Sequence, residues 1–214
     1  MIRIKKYSPP TNYAVRVKRK GERFLSRNCR PSASEFKGHA YWREIHDDLY
    51  KMSRGICAYC ASWTPRTSSG KRDHTSVDHF IPRSVEPNLA YEWSNFRLCR
   101  VRLNQNKSDS LDVCDPVYIR NGWFSLDFLT FLMRPDRSSP PWVQHHVQLT
   151  IDCLLLNGND YVKERIKVVS LYACDLVAMP ELEVKYPFIA AEFVRQDFDK
   201  KFKKRMQTFF QRHI

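Results

Sequence analysis

The sequence predicts an α+β fold in which a small strand–loop–strand–helix unit lies between a basic N-terminal segment and a helical C-terminal region. Three observations predict it. Two short apolar-leading runs, SVDHFI and NFRLC, are bounded by turn residues and read as strands. The second passes into VRLNQNKS, which reads as a helix. Apolar residues three and four apart then recur on both sides of this unit, the mark of amphipathic helices.

Residues 1–37 are broken by Pro9, Pro10 and Pro31 and dominated by Lys5, Lys6, Lys18, Arg19, Lys20, Arg23, Arg27 and Arg30. They read as an arm or extended lead-in that lies on phosphates or on a partner subunit. Tyr41, Trp42, Ile45, Leu49 and Met52 predict an amphipathic helix over 39–53. RGICAYC reads as a strand entering a tight turn, and the polar stretch Thr64–Thr75, with Ser68, Ser69 and Gly70, as a loop. SVDHFIPRS is a short strand stopped by Pro82. Asn121-Gly122, between apolar segments in 117–133, predicts a hairpin. Residues 134–141 (RPDRSSPP) read as a linker, and the pattern from Trp142 onward is helical. Val194, Phe198, Phe202, Met206 and Phe209 form one apolar stripe among Lys200, Lys201, Lys203, Lys204 and Arg205. That helix faces a core with a solvated basic side, or also touches nucleic acid. The expected domains are therefore 1–53, 54–133 and 134–214.

Composition narrows the function. The 214 residues are 43% hydrophobic and 28% charged, enough for a real core and unlike a disordered chain. Only six glycines occur, and neither GxxxxGK[ST] nor GxGxxG is present, which argues against nucleotide-hydrolysing and dinucleotide-binding folds. Thirty-six Lys and Arg against 23 Asp and Glu leave a net charge of +13. Such an excess favours a polyanionic partner, of which nucleic acid is the commonest, and is also met in generic basic proteins. The N-terminus MIRIKKYSPP lacks the apolar core of a signal peptide, and no run approaches membrane-spanning length. With an odd seven cysteines, the expectation is a cytoplasmic protein with reduced or metal-bound thiols.

The stretch from Val77 to Asp109 carries the chemistry. It holds one carboxylate and one imidazole (Asp78, His79), two amides (Asn95, Asn104) and one ammonium (Lys107). Phosphodiester hydrolysis needs a water deprotonated and aimed, a pentavalent transition state stabilised and a leaving oxygen neutralised. A neutral histidine suits the first task. A hard divalent cation held by a carboxylate and an amide oxygen suits the others. Asp78 and His79 are adjacent, so an ideal strand points them to opposite faces. Both reach one site only if the strand ends or bends there. Arg83 is a candidate phosphate contact or a solvated loop residue.

These residues resemble the HNH endonucleases of the ββα-metal fold. The resemblance covers about residues 54–115. It implies a ββα-metal core in which Asp78 and Asn104 bind Mg2+ or Mn2+ and His79 is the general base. It further implies that Asn95 ties the hairpin loop to the backbone and that Lys107 faces phosphate. The spacing of nine between Asn95 and Asn104 is similar to that of HNH domains with Asn at both places. The longer pattern AYEWSNFRL…NQNKSD…DP…GWF is similar to a bacterial subgroup found in defence operons, including the HNH subunit of Septu-type anti-phage systems. That similarity implies a companion ABC-type ATPase. Many HNH proteins also carry two CxxC pairs around a structural zinc. Here Cys57-Ala-Tyr-Cys60 stands in the expected place, but the second pair is absent. Cys57, Cys60 and Cys99, with His74 as a fourth candidate, either hold zinc or have given way to packing.

The expected function is metal-dependent endonucleolytic cleavage of nucleic acid, with DNA the first substrate and RNA an alternative. A non-catalytic nucleic-acid-binding module and an interaction subunit of an ATPase complex are the rival classes.

Overall fold

The computed structural model describes residues 1–67 and 74–213, so the predicted loop residues Ser68, Ser69 and Gly70 lie outside the described residues. The fold is α+β. The chain forms two compact units, Ile4–Tyr59 with Thr64–Leu111, and Met1–Arg3 with Cys60–Trp63 and Asp112–Ile214. This division differs from the three consecutive domains expected. The basic N-terminal segment belongs with the strand–loop–strand–helix stretch, and the 117–133 region belongs with the C-terminal helices.

In the N-terminal unit, residues 11–38 are folded rather than extended. Pro9 and Pro10 stand ahead of the first turn, where they interrupt no helical hydrogen bond, and Tyr13 N–H donates to the Pro10 carbonyl at 2.9 Å. A π-helical turn (Ala14–Lys18) leads into α1 (Arg19–Leu25). Ser32 and Glu35 form a capping box that starts α2 (Ala33–Gly38). The arm expectation fails because the apolar residues among these lysines and arginines have a core to join. Tyr13, Val17 and Phe36 are buried with Trp42, Ile45, Leu49, Tyr91, Phe96 and Leu98. The helix predicted over 39–53 is instead a 3₁₀ turn (Tyr41–Ile45) followed by α3 (His46–Met52). α1 lies so close to Tyr91 that a Cβ on Gly21 would overlap its ring.

RGICAYC is a turn with a single bridging residue, Ile56, rather than a strand. Arg54 and Gly55 both adopt left-handed backbone, at φ 54° and 72°, which stops extension before Cys57. The strands of the DH and NFRL stretches form as expected. β1 (Thr75–His79) pairs antiparallel with β2 (Phe96–Arg100), with Thr75 opposite Arg100 and His79 opposite Phe96. β2 passes directly into α4 (Val101–Lys107), which ends at Ser108 with φ 47°.

In the C-terminal unit, β3 (Phe124–Leu126) pairs antiparallel with β4 (Met133–Pro135). The hairpin exists, but Asn121-Gly122 precedes it, with Gly122 at φ 92°. Its turn is the apolar stretch after Leu126. There the Asp127 carboxylate accepts the Leu129 N–H at 2.8 Å and Phe131 takes φ 58°. The expected linker supplies the end of β4 and the start of α5 (Pro141–Cys153). α6 (Asn159–Ala173), α7 (Met179–Lys185), α8 (Pro187–Arg195) and α9 (Lys204–His213) confirm the helical pattern after Trp142. The apolar stripe does not run as one face. α8 stops at Arg195 and Asp197 turns at φ 55°, which resets the helical phase. Phe198 is fully buried, while Val194 is 71% and Phe209 52% exposed, and Phe210 is buried instead. Phe198 and Phe202 pack on Phe128, with ring centroids 4.8 and 5.5 Å away. Among the described residues no helix is long and apolar enough to cross a membrane.

Gly21→Ala should push Tyr91 out of place and lower the stability of the N-terminal unit by about 1–3 kcal/mol in urea unfolding. His46, whose Nε2 lies 2.9 Å from Thr75 Oγ1, is held below its ordinary pKa of 6.5 by burial and by the Arg66 cation. The folded state therefore binds fewer protons than the unfolded chain, and stability falls as pH drops below about 6.5. His46→Gln should lose less stability than the wild type between pH 7 and pH 5.

Candidate functional site

The site is built where β1 stops. Phe80 N–H still pairs with the Asn95 carbonyl at 2.8 Å. The buried Asn95 side chain then takes over. Its Oδ1 accepts the Ile81 N–H at 2.7 Å, and its Nδ2 donates to the Ile81 and Leu89 carbonyls at 2.9 and 3.1 Å. One amide thus closes the connection between the two strands. Because regular strand ends at His79, the neighbours Asp78 and His79 both border one cleft of about 300 Å³. Asn104 from α4, Arg83 from the connection, and Ser108 and Asp109 beyond α4 border the same cleft, with Pro31, Ala33 and Phe36 on another wall.

His79 is buried and its Nε2 lies 2.9 Å from the Ala90 carbonyl. A carbonyl only accepts, so Nε2 carries the proton and the lone pair of neutral imidazole sits on Nδ1. Nδ1 has no hydrogen-bond partner among the described residues. Burial pushes the His79 pKa down to about 4; the Ala90 bond opposes this, and the Arg83 and Lys107 cations assist it. The ring is neutral at neutral pH.

Asp78 is only 3% exposed. Tyr59 Oη donates to its Oδ2 at 2.5 Å, and Lys107 Nζ lies 3.4 Å from its Oδ1. Burial raises the Asp78 pKa above its ordinary value, against the pull of Lys107, Tyr59 and Arg97. Burial and the Asp78 charge raise that of Tyr59 far above the usual phenol value, so Tyr59 remains a donor. Asn104 donates through Nδ2 to Ser76 Oγ at 3.1 Å and more weakly to the Val77 carbonyl at 3.4 Å. Its Oδ1 accepts no hydrogen bond among the described residues.

Lys107 departs from the expected phosphate-facing role. It is 1% exposed, and its ammonium donates to the His79 carbonyl at 2.9 Å as well as facing Asp78. α4 carries it inward, behind β1, where burying the cation requires a carboxylate and a carbonyl beside it. Arg83 does border the cleft, half-buried, with no hydrogen bond among the described residues.

Cys57 and Cys99 are buried in the N-terminal unit, where the Arg100 N–H points at Cys57 Sγ from 3.4 Å. Cys60 falls within the other unit. Among the described residues no group of three or more His, Cys, Asp and Glu side chains is placed to hold a metal ion.

No protein-family model and no curated protein sequence matches the chain.

The charge is unevenly divided. The N-terminal unit holds 21 Lys and Arg against 10 Asp and Glu, or +11 of the chain's +13, and the C-terminal unit accounts for +2. Tyr59, Trp42 and the Ala90 carbonyl complete the site without any signal in the DH…N…NxxK pattern. Tyr59, inside the CxxC, lies near the site in sequence, where base stacking or packing is the expectation; it is instead fully buried with its hydroxyl on Asp78. Trp42 is one of five apolar residues in its segment.

Asn95→Ala would leave the part-buried Ile81 N–H and carbonyl without partners, while the Leu89 carbonyl keeps the Glu92 N–H at 3.2 Å. It should cost roughly 1–3 kcal/mol in chemical denaturation. Amide exchange at Ile81 should accelerate, because that N–H loses its acceptor.

Proposed function

We propose that this cleft hydrolyses phosphodiester bonds in nucleic acid, DNA first, as an HNH-type endonuclease built on β1, β2 and α4. One observation carries the reading. A neutral imidazole with an unpartnered Nδ1, a carboxylate, an amide oxygen without a partner and a guanidinium border one cleft, in the unit that holds nearly all the net charge.

Asp78 and Asn104 would hold magnesium or manganese. The donor set fits: both ligands are hard oxygens. The two hydrogen bonds at Asp78 leave further lone pairs on the carboxylate. With one carboxylate and one amide from the protein, water and substrate oxygens complete the shell. When bound, the cation supplies positive charge at the phosphoryl and leaving oxygens. His79 Nδ1 accepts the proton of the attacking water, and the Nε2 bond to Ala90 fixes the ring and its tautomer for that task. Arg83 offers its N–H fork to a phosphate oxygen pair. Lys107 and Tyr59 hold Asp78 from behind.

The similarity to defence-associated HNH proteins supports a role as nuclease effector beside an ABC-type ATPase. Among the described residues the C-terminal unit contributes none to the cleft, and such a partner would dock there. The approach of Lys107 to Asp78 favours a second reading, nucleic-acid binding without cleavage, in which the ammonium takes the place of the metal charge.

Cleavage of supercoiled plasmid and of labelled RNA separates the two. His79→Ala should reduce cleavage by about 10²–10⁴-fold and leave the affinity for uncleaved nucleic acid within about twofold. Chelation should silence the wild type, and magnesium or manganese should restore it. Undiminished cleavage by His79→Ala would overturn the assignment of the base. No cleavage by the metal-supplied wild type, with binding retained, would favour the second reading.

A further inference from the structure

We infer that Trp42 is a positioning residue for this proposed phosphodiesterase site, holding His79 and Arg83 in one fixed arrangement. The inference rests on the nuclease reading and adds to it a residue outside the β1–β2–α4 stretch. Trp42 belongs to the 3₁₀ turn Tyr41–Ile45 and is buried. Its ring stands nearly perpendicular to the His79 imidazole, at 85°, with centroids 4.6 Å apart. Arg83 Cζ lies over the same indole, 5.0 Å from its centroid, and 5.4 Å from that of Phe36. Tyr91 and Phe36 pack against Trp42 in turn, with centroids 5.7 and 6.3 Å away, so the indole cannot shift freely. One side chain therefore touches both the base and the phosphate-gripping cation.

The guanidinium shows why this placement serves binding. Its five N–H donors make no hydrogen bond among the described residues, yet the group is half-buried at the cleft wall. Two aromatic rings flank its Cζ, and its N–H groups remain for an acceptor. A phosphate oxygen pair matches that fork, which a lysine ammonium does not reproduce. Without the indole, the Arg83 side chain regains rotamer freedom, and the substrate must order it on binding. His79 loses a wall at the same time.

The test is a double-mutant cycle read in KM, kcat and oligonucleotide Kd, using a fluorescent DNA duplex and magnesium, with fold checked by circular dichroism. Trp42→Leu should raise KM and Kd about tenfold and lower kcat. Trp42→Phe, which keeps an aromatic face, should raise them no more than about threefold. In an Arg83→Ala background both Trp42 substitutions should have little further effect on Kd, because the group they position is gone. Equal effects of the Trp42 substitutions with and without Arg83 would overturn the inference, since a purely structural indole acts independently of Arg83. If Trp42→Leu does not fold, the Trp42→Phe arm decides by the same comparison. If the wild type cleaves nothing, the nuclease reading fails, and the Kd cycle still reports whether Trp42 acts through Arg83.

Discussion

The side chain of Asn95 is the constraint on which the rest of the site depends. Its hydrogen bonds to Ile81 and Leu89 hold together a long connection whose regular structure is two short 3₁₀ turns, Pro87–Leu89 and Trp93–Asn95. They also decide where β1 stops. A regular strand points adjacent residues to opposite faces, yet Asp78 and His79, the last two residues of β1, both border the cleft. The amide is buried and each of its heavy atoms has a partner, so the arrangement is set before any ligand arrives. Ala90, whose carbonyl fixes the His79 tautomer, lies within the same pinned connection.

Behind the strand lies a second constraint of a different kind. Asp78, Tyr59 and Lys107 form a closed polar group in a region with almost no solvent. Removing one member leaves a buried charge or hydroxyl without its partner, which is costly, whereas the intact group contributes little net stability. Its value is geometric. Tyr59 holds one carboxylate oxygen and Lys107 the other, while Asp78 borders the cleft.

Much of this was legible in the sequence, for identifiable reasons. β1, β2 and α4 were visible because local pattern and turn chemistry agree there, and Asn95 stands where such a connection needs an amide. An N-x-x-K spacing places Lys107 on a helix but does not say which face the helix buries, and here it buries the ammonium beside Asp78. In the N-terminal segment the many cations obscure Tyr13, Val17 and Phe36, whose burial depends on Trp42 and on the distant Tyr91. The C-terminal stripe looked continuous because periodicity cannot register a single left-handed residue such as Asp197. Gly122 takes the left-handed backbone that glycine favours, but the strands that pair begin two residues later.

The division of charge between the two units has a consequence for motion through solution. The N-terminal unit carries +11 and the C-terminal unit +2. At equal distance a polyanion therefore attracts the N-terminal unit several times more strongly. Beyond a Debye length, about 8 Å at physiological ionic strength, salt removes most of that difference; within it the cationic unit gains the higher rate of encounter.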